Sequence, residues 1–190
     1  MDGSSSLAGR LLVAMPGIGD PRFEHAVILI CSHDDEHAMG VRLDHPAPGV
    51  DVATVLDRLD LPPAESAPDR PVLVGGPVER ERGFVVHSDD WLSQGSSVPF
   101  GEGLALTGTR DALVAMGDPV AGPRRSLLAL GYAGWDEGQL EAELAENVWL
   151  IADADADLVF DQDHASKWSR ALRQVGVSEA GALSGQAGRA

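Results

Sequence analysis

The sequence predicts an α+β fold: a mixed β-sheet with about four helices packed on it. Seven short apolar runs bounded by Gly, Pro and Asp read as strands, and several are too continuous to leave one face in water. Four other stretches carry helical spacing with capping residues at their ends. Their order is roughly three strands, a helix, two or three strands, then helix, strand, helix, strand, helix. That departs from strict βα alternation and argues against a doubly wound sheet.

RLLVAM at 10–15, HAVILIC at 25–31 and AMGVRLD at 38–44 are the opening strands. In DVATVLDRL, Val52, Val55, Leu56 and Leu59 fall at i, i+3, i+4 and i+7 and so share one stripe. LPPAESAPDRP at 61–71 is the clearest internal connection, yet short enough to be a loop. PVLVGG at 71–76 and GFVVHS at 83–88 follow as strands. In TRDALVAMG, Thr109 can cap, Asp111 favours the positive helix end, and Gly117 suits a left-handed residue after the last turn. SLLALGYA at 126–133 is a strand that Gly134 should end. Asp136 is then a good N-cap, with Gln139 three residues on as in a capping box. Leu140, Leu144 and Val148 line one side of that helix, which places Glu141, Glu143 and Glu146 mostly on the wet side. Asn147 can end it in a left-handed conformation before VWLIA resumes as a strand. The last helix is HASKWSRALRQVG, with Trp168 and Leu172 four apart and Gly176 closing. The folded part is expected to span residues 7–177 as one domain, with 1–6 and 178–190 as disordered tails.

Composition bounds the function. Aspartate and glutamate number 30 against 14 lysines and arginines, a net charge of −16 that repels phosphate backbones and anionic lipids. Lys167 is the single lysine, so no lysine-rich arm is available for nucleic acid. Cys31 is the single cysteine, which excludes an intramolecular disulfide and a cysteine-based zinc knuckle. The first residues lack a secretory h-region, and the longest apolar run, AVILIC, is too short to span a bilayer. A cytoplasmic protein with no direct nucleic-acid or membrane partner is expected.

Local motifs give little chemistry. CSHDDEH at 31–37 holds Cys31, His33 and His37, but it lies between strand runs and reads as a hairpin loop, where a helical His-x-x-x-His metal grip does not apply. Cys31 and His33, two apart, would share a strand face and could pair as nucleophile and base; a buried cysteine before a polar turn is the plainer reading. Asp153, Asp155, Asp157 and Asp161 match a calcium loop at its positions 1, 3, 5 and 9. The match fails at Leu158, where glycine is needed, and at His164, where glutamate is needed. The GGP of LVGGPVERERGF is no phosphate loop; its glycines suit a close backbone approach or an unusual dihedral at a strand end. Arg80 and Arg82, beside Glu79 and Glu81 in an expected turn, could bind an anion or simply form a solvated mixed-charge tip. Trp135, beside Gly134, is either a core anchor or an exposed contact. No metal site, cofactor or catalytic residue is assigned.

LLVAMPGIGDPRFEHAVILICSHDDEHAMGVRLDHP, VLVGGPVERERGFVVHS, LALGYAGWDEGQLEAELAENVWL and KWSRALRQVGV resemble successive blocks of the bacterial YqgE/AlgH family over about residues 7–177. The resemblance implies a cytoplasmic protein with a mixed sheet bent into a pseudo-barrel and helices around it. It implies a largely uncharacterised function under the label of transcriptional regulator, after a member implicated in control of alginate production, and it carries over no catalytic residues. Two positions depart from the pattern expected: Asp44 and His45 stand where an Asn-Arg pair is expected, weakening an anion-binding role for that loop, and His37 stands where glycine is expected. The leading expectation is a non-enzymatic binding or regulatory protein that acts indirectly, through a protein or small-molecule partner. The alternative is an enzyme with a dispersed site, such as a hydrolase using His33 or His87 with a nearby carboxylate.

Overall fold

The computed structural model describes residues 6–17, 21 and 23–177, so the two tails, apart from Ser6, lie outside the described residues. Its strands are β1 (Arg10–Ala14), β2 (Val27–His33), β3 (Ala38–Arg42), β4 (Pro46–Asp51), β5 (Pro71–Val74), β6 (Val78–Ser88), β7 (Ser97–Phe100), β8 (Leu104–Thr107), β9 (Ser126–Trp135) and β10 (Trp149–Asp153). Its helices are α1 (Val52–Arg58), α2 (Arg110–Met116), α3 (Gln139–Ala145), α4 (Ala156–Val159) and α5 (Lys167–Gln174), the last entered through a 3-10 turn at His164–Ser166.

The strands form one curled sheet in the order β10-β1-β2-β3-β9-β6-β8-β7, with β5 also on β9 and β4 on β5. The β5–β9 pair is parallel and the others antiparallel, so the sheet is mixed as expected. The continuous apolar runs explain β1 and the first five residues of β2, which are covered on both faces. One core packs β1, β2 and β3 against α3, α4 and α5 through Leu11, Leu29, Leu140, Leu158 and Leu172. A second packs α1 and α2 through Val52, Leu56, Leu113 and Met116 on Val72, Val85 and Leu128.

The sequence pattern does not reveal β4, β7, β8 or α4. β4 carries Pro46, Pro48 and Gly49, and β7 carries Pro99, residues that weaken a strand pattern and belong at bulges or edges. Both are sheet margins among the described residues, where β4 pairs with β5 alone and β7 with β8 alone. α4 is one turn inside the acidic stretch that reads as a connection. Three further expectations need correction. β9 runs through Gly134 to Trp135 rather than ending. α3 begins after Gly138, in a left-handed conformation, not at Asp136; half of the expected capping box is kept, because Gln139 Oε1 accepts the Asp136 N–H at 3.0 Å. Gly117 is not left-handed: a Cβ there would stand 2.7 Å from Ala64 Cβ, so close packing rather than φ calls for glycine. Asn147 does adopt the left-handed conformation, with φ 61°.

The feature that shapes the surface is a crossing. β5 and β6 flank opposite edges of β9, since Ala129 and Leu130 each pair with both. The chain must therefore pass over β9 between them, and it does so at Gly75 and Gly76. A Cβ on Gly75 would lie 2.3 Å from the Gly131 carbonyl oxygen, and one on Gly76 would lie 2.1 Å from the Tyr132 carbonyl carbon. Backbone rides directly on backbone, the close approach expected of this glycine pair.

Candidate functional site

Most polar groups that draw attention in the sequence are consumed by structure. The Trp135 indole is buried at 5% exposure, and Glu143 is half-buried rather than on the wet side. Glu143 Oε1 accepts N–H bonds from Trp135 Nε1 at 3.0 Å and Trp149 Nε1 at 2.8 Å, while Oε2 accepts from Gln139 Nε2 at 3.1 Å. One carboxylate thus ties α3 to β9 and β10. This signal is present in the sequence as two tryptophans and a glutamate at spacings eight and six, but only the fold brings them together.

His33 ends β2 and meets two partners. Its Nδ1 accepts the Leu7 N–H at 2.9 Å, which leaves Nε2–H to donate to Glu141 Oε2 at 2.9 Å. That bond holds the Glu141 carboxyl below its ordinary value. Cys31 is not part of this pair. A bulge between Ile30 and Ser32 interrupts the alternation that would have put Cys31 and His33 on one face, and the thiol contacts the Leu29 carbonyl. Burial pushes the Cys31 thiol up to about 12, the opposite of an activated nucleophile.

His87 is fully buried and makes no hydrogen bond to a carboxylate among the described residues. Its Nδ1 donates to the Ser88 carbonyl at 2.9 Å, so Nε2 accepts the Thr107 hydroxyl at 2.7 Å, and Thr107 in turn accepts from Ser97 at 2.7 Å. Burial lowers the His87 pKa. The four aspartates of the calcium-like stretch face separate partners: Asp153 meets Arg10, Asp155 caps α4, Asp157 meets Arg125 and Asp161 meets Arg170.

Arg80 and Arg82 do not sit in a turn. They belong to a wide bulge of β6, where Val78 pairs with Tyr132 and the next pair is Gly83 with Leu130. The bulge sends the two arginines to different cavities. Arg82 stacks over Phe84, 4.9 Å from the ring centroid, faces Glu79 at 3.8 Å, and shares a shallow cavity with Trp135, Tyr132 and Asp136. Arg80 lines the other cavity and has no ion-pair partner among the described residues. His33 lines neither.

The Arg80 cavity lies beside the crossing and encloses about 370 Å³. Its walls are apolar, from Phe23, Ile28, Val74, Pro77 and Ala133, and its polar groups are Arg42, His45 and Arg80. Among the described residues no carboxylate lines it, whereas the other three cavities described include Asp157 and Asp161, Glu79 and Asp136, or Glu65 and Asp118. Arg42 is held in place by Asp44, with Nε on Oδ1 at 2.8 Å and the second guanidinium nitrogen on Oδ2 at 2.9 Å. The departure Asp44-His45 therefore does not remove the loop from the site. Asp44 fixes one wall and His45 lines the mouth.

A curled α+β sheet protein with an open apolar pocket, and with His33 and His87 drawn into structural bonds, is the class that this fold and site define. The AlgH-like family model (DUF179) matches residues 11–180. The chain belongs to that family. It is 56% identical to a UPF0301 protein of Caulobacter vibrioides, covering 100% of this chain and 96% of the other, and 48% identical to one of Rhizorhabdus wittichii, covering 98% and 100%. Among solved structures it is similar to the AlgH protein from Pseudomonas aeruginosa, with a TM-score of 0.76 and 40% identity over 94% of both chains. A Corynebacterium diphtheriae protein shares the fold, with a TM-score of 0.71 at 24% identity over 91% and 89%.

Proposed function

We propose that this protein is a cytoplasmic, non-enzymatic binding protein whose ligand pocket lies beside the Gly75–Gly76 crossing, and that any regulatory role is exerted through a bound partner rather than by direct contact with DNA. The observation that carries the reading is the pocket itself. Its volume of about 370 Å³ falls within the roughly 300–1,000 Å³ of small-molecule sites, and apolar walls with a few convergent polar groups are the usual makeup of such sites. Among the described residues it holds no nucleophile with an adjacent base. The net charge of −16 favours an indirect route to transcription, since a field of that sign opposes duplex DNA.

Two measurements test this reading. A fragment screen followed by amide chemical-shift mapping should converge on Gly75, Gly76 and Ala133; hits that avoid these residues would contradict the pocket. Fluorescence anisotropy with labelled duplex DNA at low salt should show no tight binding. Nanomolar binding that weakens steeply with salt would overturn the indirect role.

One observation favours an alternative: His33 and Glu141 form a histidine–carboxylate pair at 2.9 Å. A hydrolase built on that pair would need a neighbouring substrate cleft, and the Leu7 N–H occupies the other ring nitrogen. Loss of a measured hydrolytic activity on His33→Asn, with the fold intact, would favour it.

A further inference from the structure

The pocket proposed above has a polarity that selects its ligand. The molecule as a whole carries −16, yet among the described residues the lining of this one cavity has two arginines and a histidine and no acid. The two arginines are not equivalent. Arg42 is half of a bidentate pair with Asp44, and its charge is largely offset there. Arg80 is solvent-exposed, stands on the β6 bulge and has no ion-pair partner among the described residues. Its cationic head is therefore the uncommitted charge at the mouth of an apolar recess. The backbone fixes its place, because a Cβ at Gly131 would lie 3.2 Å from Arg80 Cα, so the bulge rests directly on β9.

An arginine fork pairs with a carboxylate in two parallel hydrogen bonds, and an apolar recess rewards an alkyl or aryl body. A neutral apolar molecule would leave Arg80 unused. A cation would be repelled by it, and a polyanion would carry more charge than the mouth can match beside the surrounding acids. We infer that the pocket takes an amphipathic monocarboxylate, with its carboxylate on Arg80 near His45 and its apolar body between Ile28, Val74 and Ala133. This assignment rests on the pocket reading above, but it can fail while that reading survives.

The test uses the full chain and three probes that share one chain length: octanoate, octan-1-ol and octylammonium. Binding is followed by calorimetry and by the amide shifts of Gly75, Gly76 and Ala133. The expected result is that octanoate binds at least about tenfold more tightly than octan-1-ol, as a charge-assisted contact implies, and that octylammonium binds least. Arg80→Gln should remove that margin while leaving octan-1-ol unchanged. Ala133→Phe should block both, and if that variant fails to fold, Arg80→Gln still decides the matter because residue 80 is exposed. Equal binding of octanoate and octan-1-ol, indifferent to Arg80→Gln, would overturn the carboxylate assignment and keep the pocket. Failure of all three probes to shift the pocket amides would overturn both.

Discussion

The segment from Trp135 to Trp149 and the segment from Gly75 to Arg82 have exchanged the roles that their residue types suggest. The former has tryptophans and a run of acids, the dress of a binding site. In the fold the groups that draw the eye are already engaged: Glu143 receives two indole N–H groups and a glutamine amide, and Glu141 receives His33 of β2. The Gly75–Arg82 segment has the composition of a glycine-rich strand end followed by a solvated charged tip. In the fold it crosses β9 backbone on backbone and leaves Arg80, beside an apolar recess, without an ion-pair partner among the described residues. Residue type marks potential chemistry, but the number of partners already satisfied decides whether any remains for a ligand.

The largest expected effect breaks the crossing. Gly76→Ala would drive a Cβ to 2.1 Å from the Tyr132 backbone, and no flexible side chain can yield there. A loss above about 4 kcal/mol, or failure to fold, is expected in urea unfolding, since backbone must move or the crossing must open. A near-neutral result would mean that the crossing is loose and the pocket beside it ill-defined.

Next comes the clamp. Glu143→Leu leaves two indole N–H groups without acceptors and should cost about 2–4 kcal/mol by the same measurement. Glu143→Gln keeps an oxygen for the indoles and should cost about 1 kcal/mol or less. Equal small losses from both would return this segment to candidacy as a site.

The third prediction concerns pH and the single lysine. Lys167 is fully buried, with Nζ donating to the Val159 carbonyl at 2.7 Å and the Leu43 carbonyl at 3.4 Å. Burial lowers its pKa from 10.5 to about 7, against the opposing pull of Asp161 and Asp44. Between those values the unfolded chain binds the extra proton, so this group's contribution to stability rises as pH climbs from about 7 towards 10.5. Lys167→Met should flatten that rise in denaturation curves taken across the window. The buried His164 acts at the other end: burial and the nearby Lys167 charge lower it to about 4, so its contribution is lost as pH falls from 6.5 to 4. The smallest effect belongs to Arg80→Gln, expected to change stability by no more than about 0.5 kcal/mol because the side chain is exposed and outside any ion pair.

Much of the fold is legible because burial leaves periodic marks. The continuous runs of β1 and β2, the stripe of Val52 and Leu56, and the left-handed Asn147 all follow from local chemistry. β4 and β7 are not legible, since a marginal strand tolerates prolines that a pattern reads as loop. The pocket is legible in one part only. The Gly75–Gly76 pair announces a close approach, but Ile28, Arg42, His45 and Ala133 come from separate segments and have no common spacing. Arg80 and Arg82 are alike in sequence, and only the bulge sends one to Glu79 and Phe84 and the other to the pocket.

The central claim is that ligand chemistry resides beside the crossing and not at the indoles. A heteronuclear NMR titration with octanoate tests it in a single spectrum, because the Trp135 and Trp149 Nε1–H signals are recorded with the Gly75, Gly76 and Ala133 amides. Saturable shifts of the crossing amides, with both indole signals unmoved, are the predicted result. Shifts of the indole signals while the crossing amides stay still would contradict it, as would no saturable shift at either place with octanoate, octan-1-ol or octylammonium.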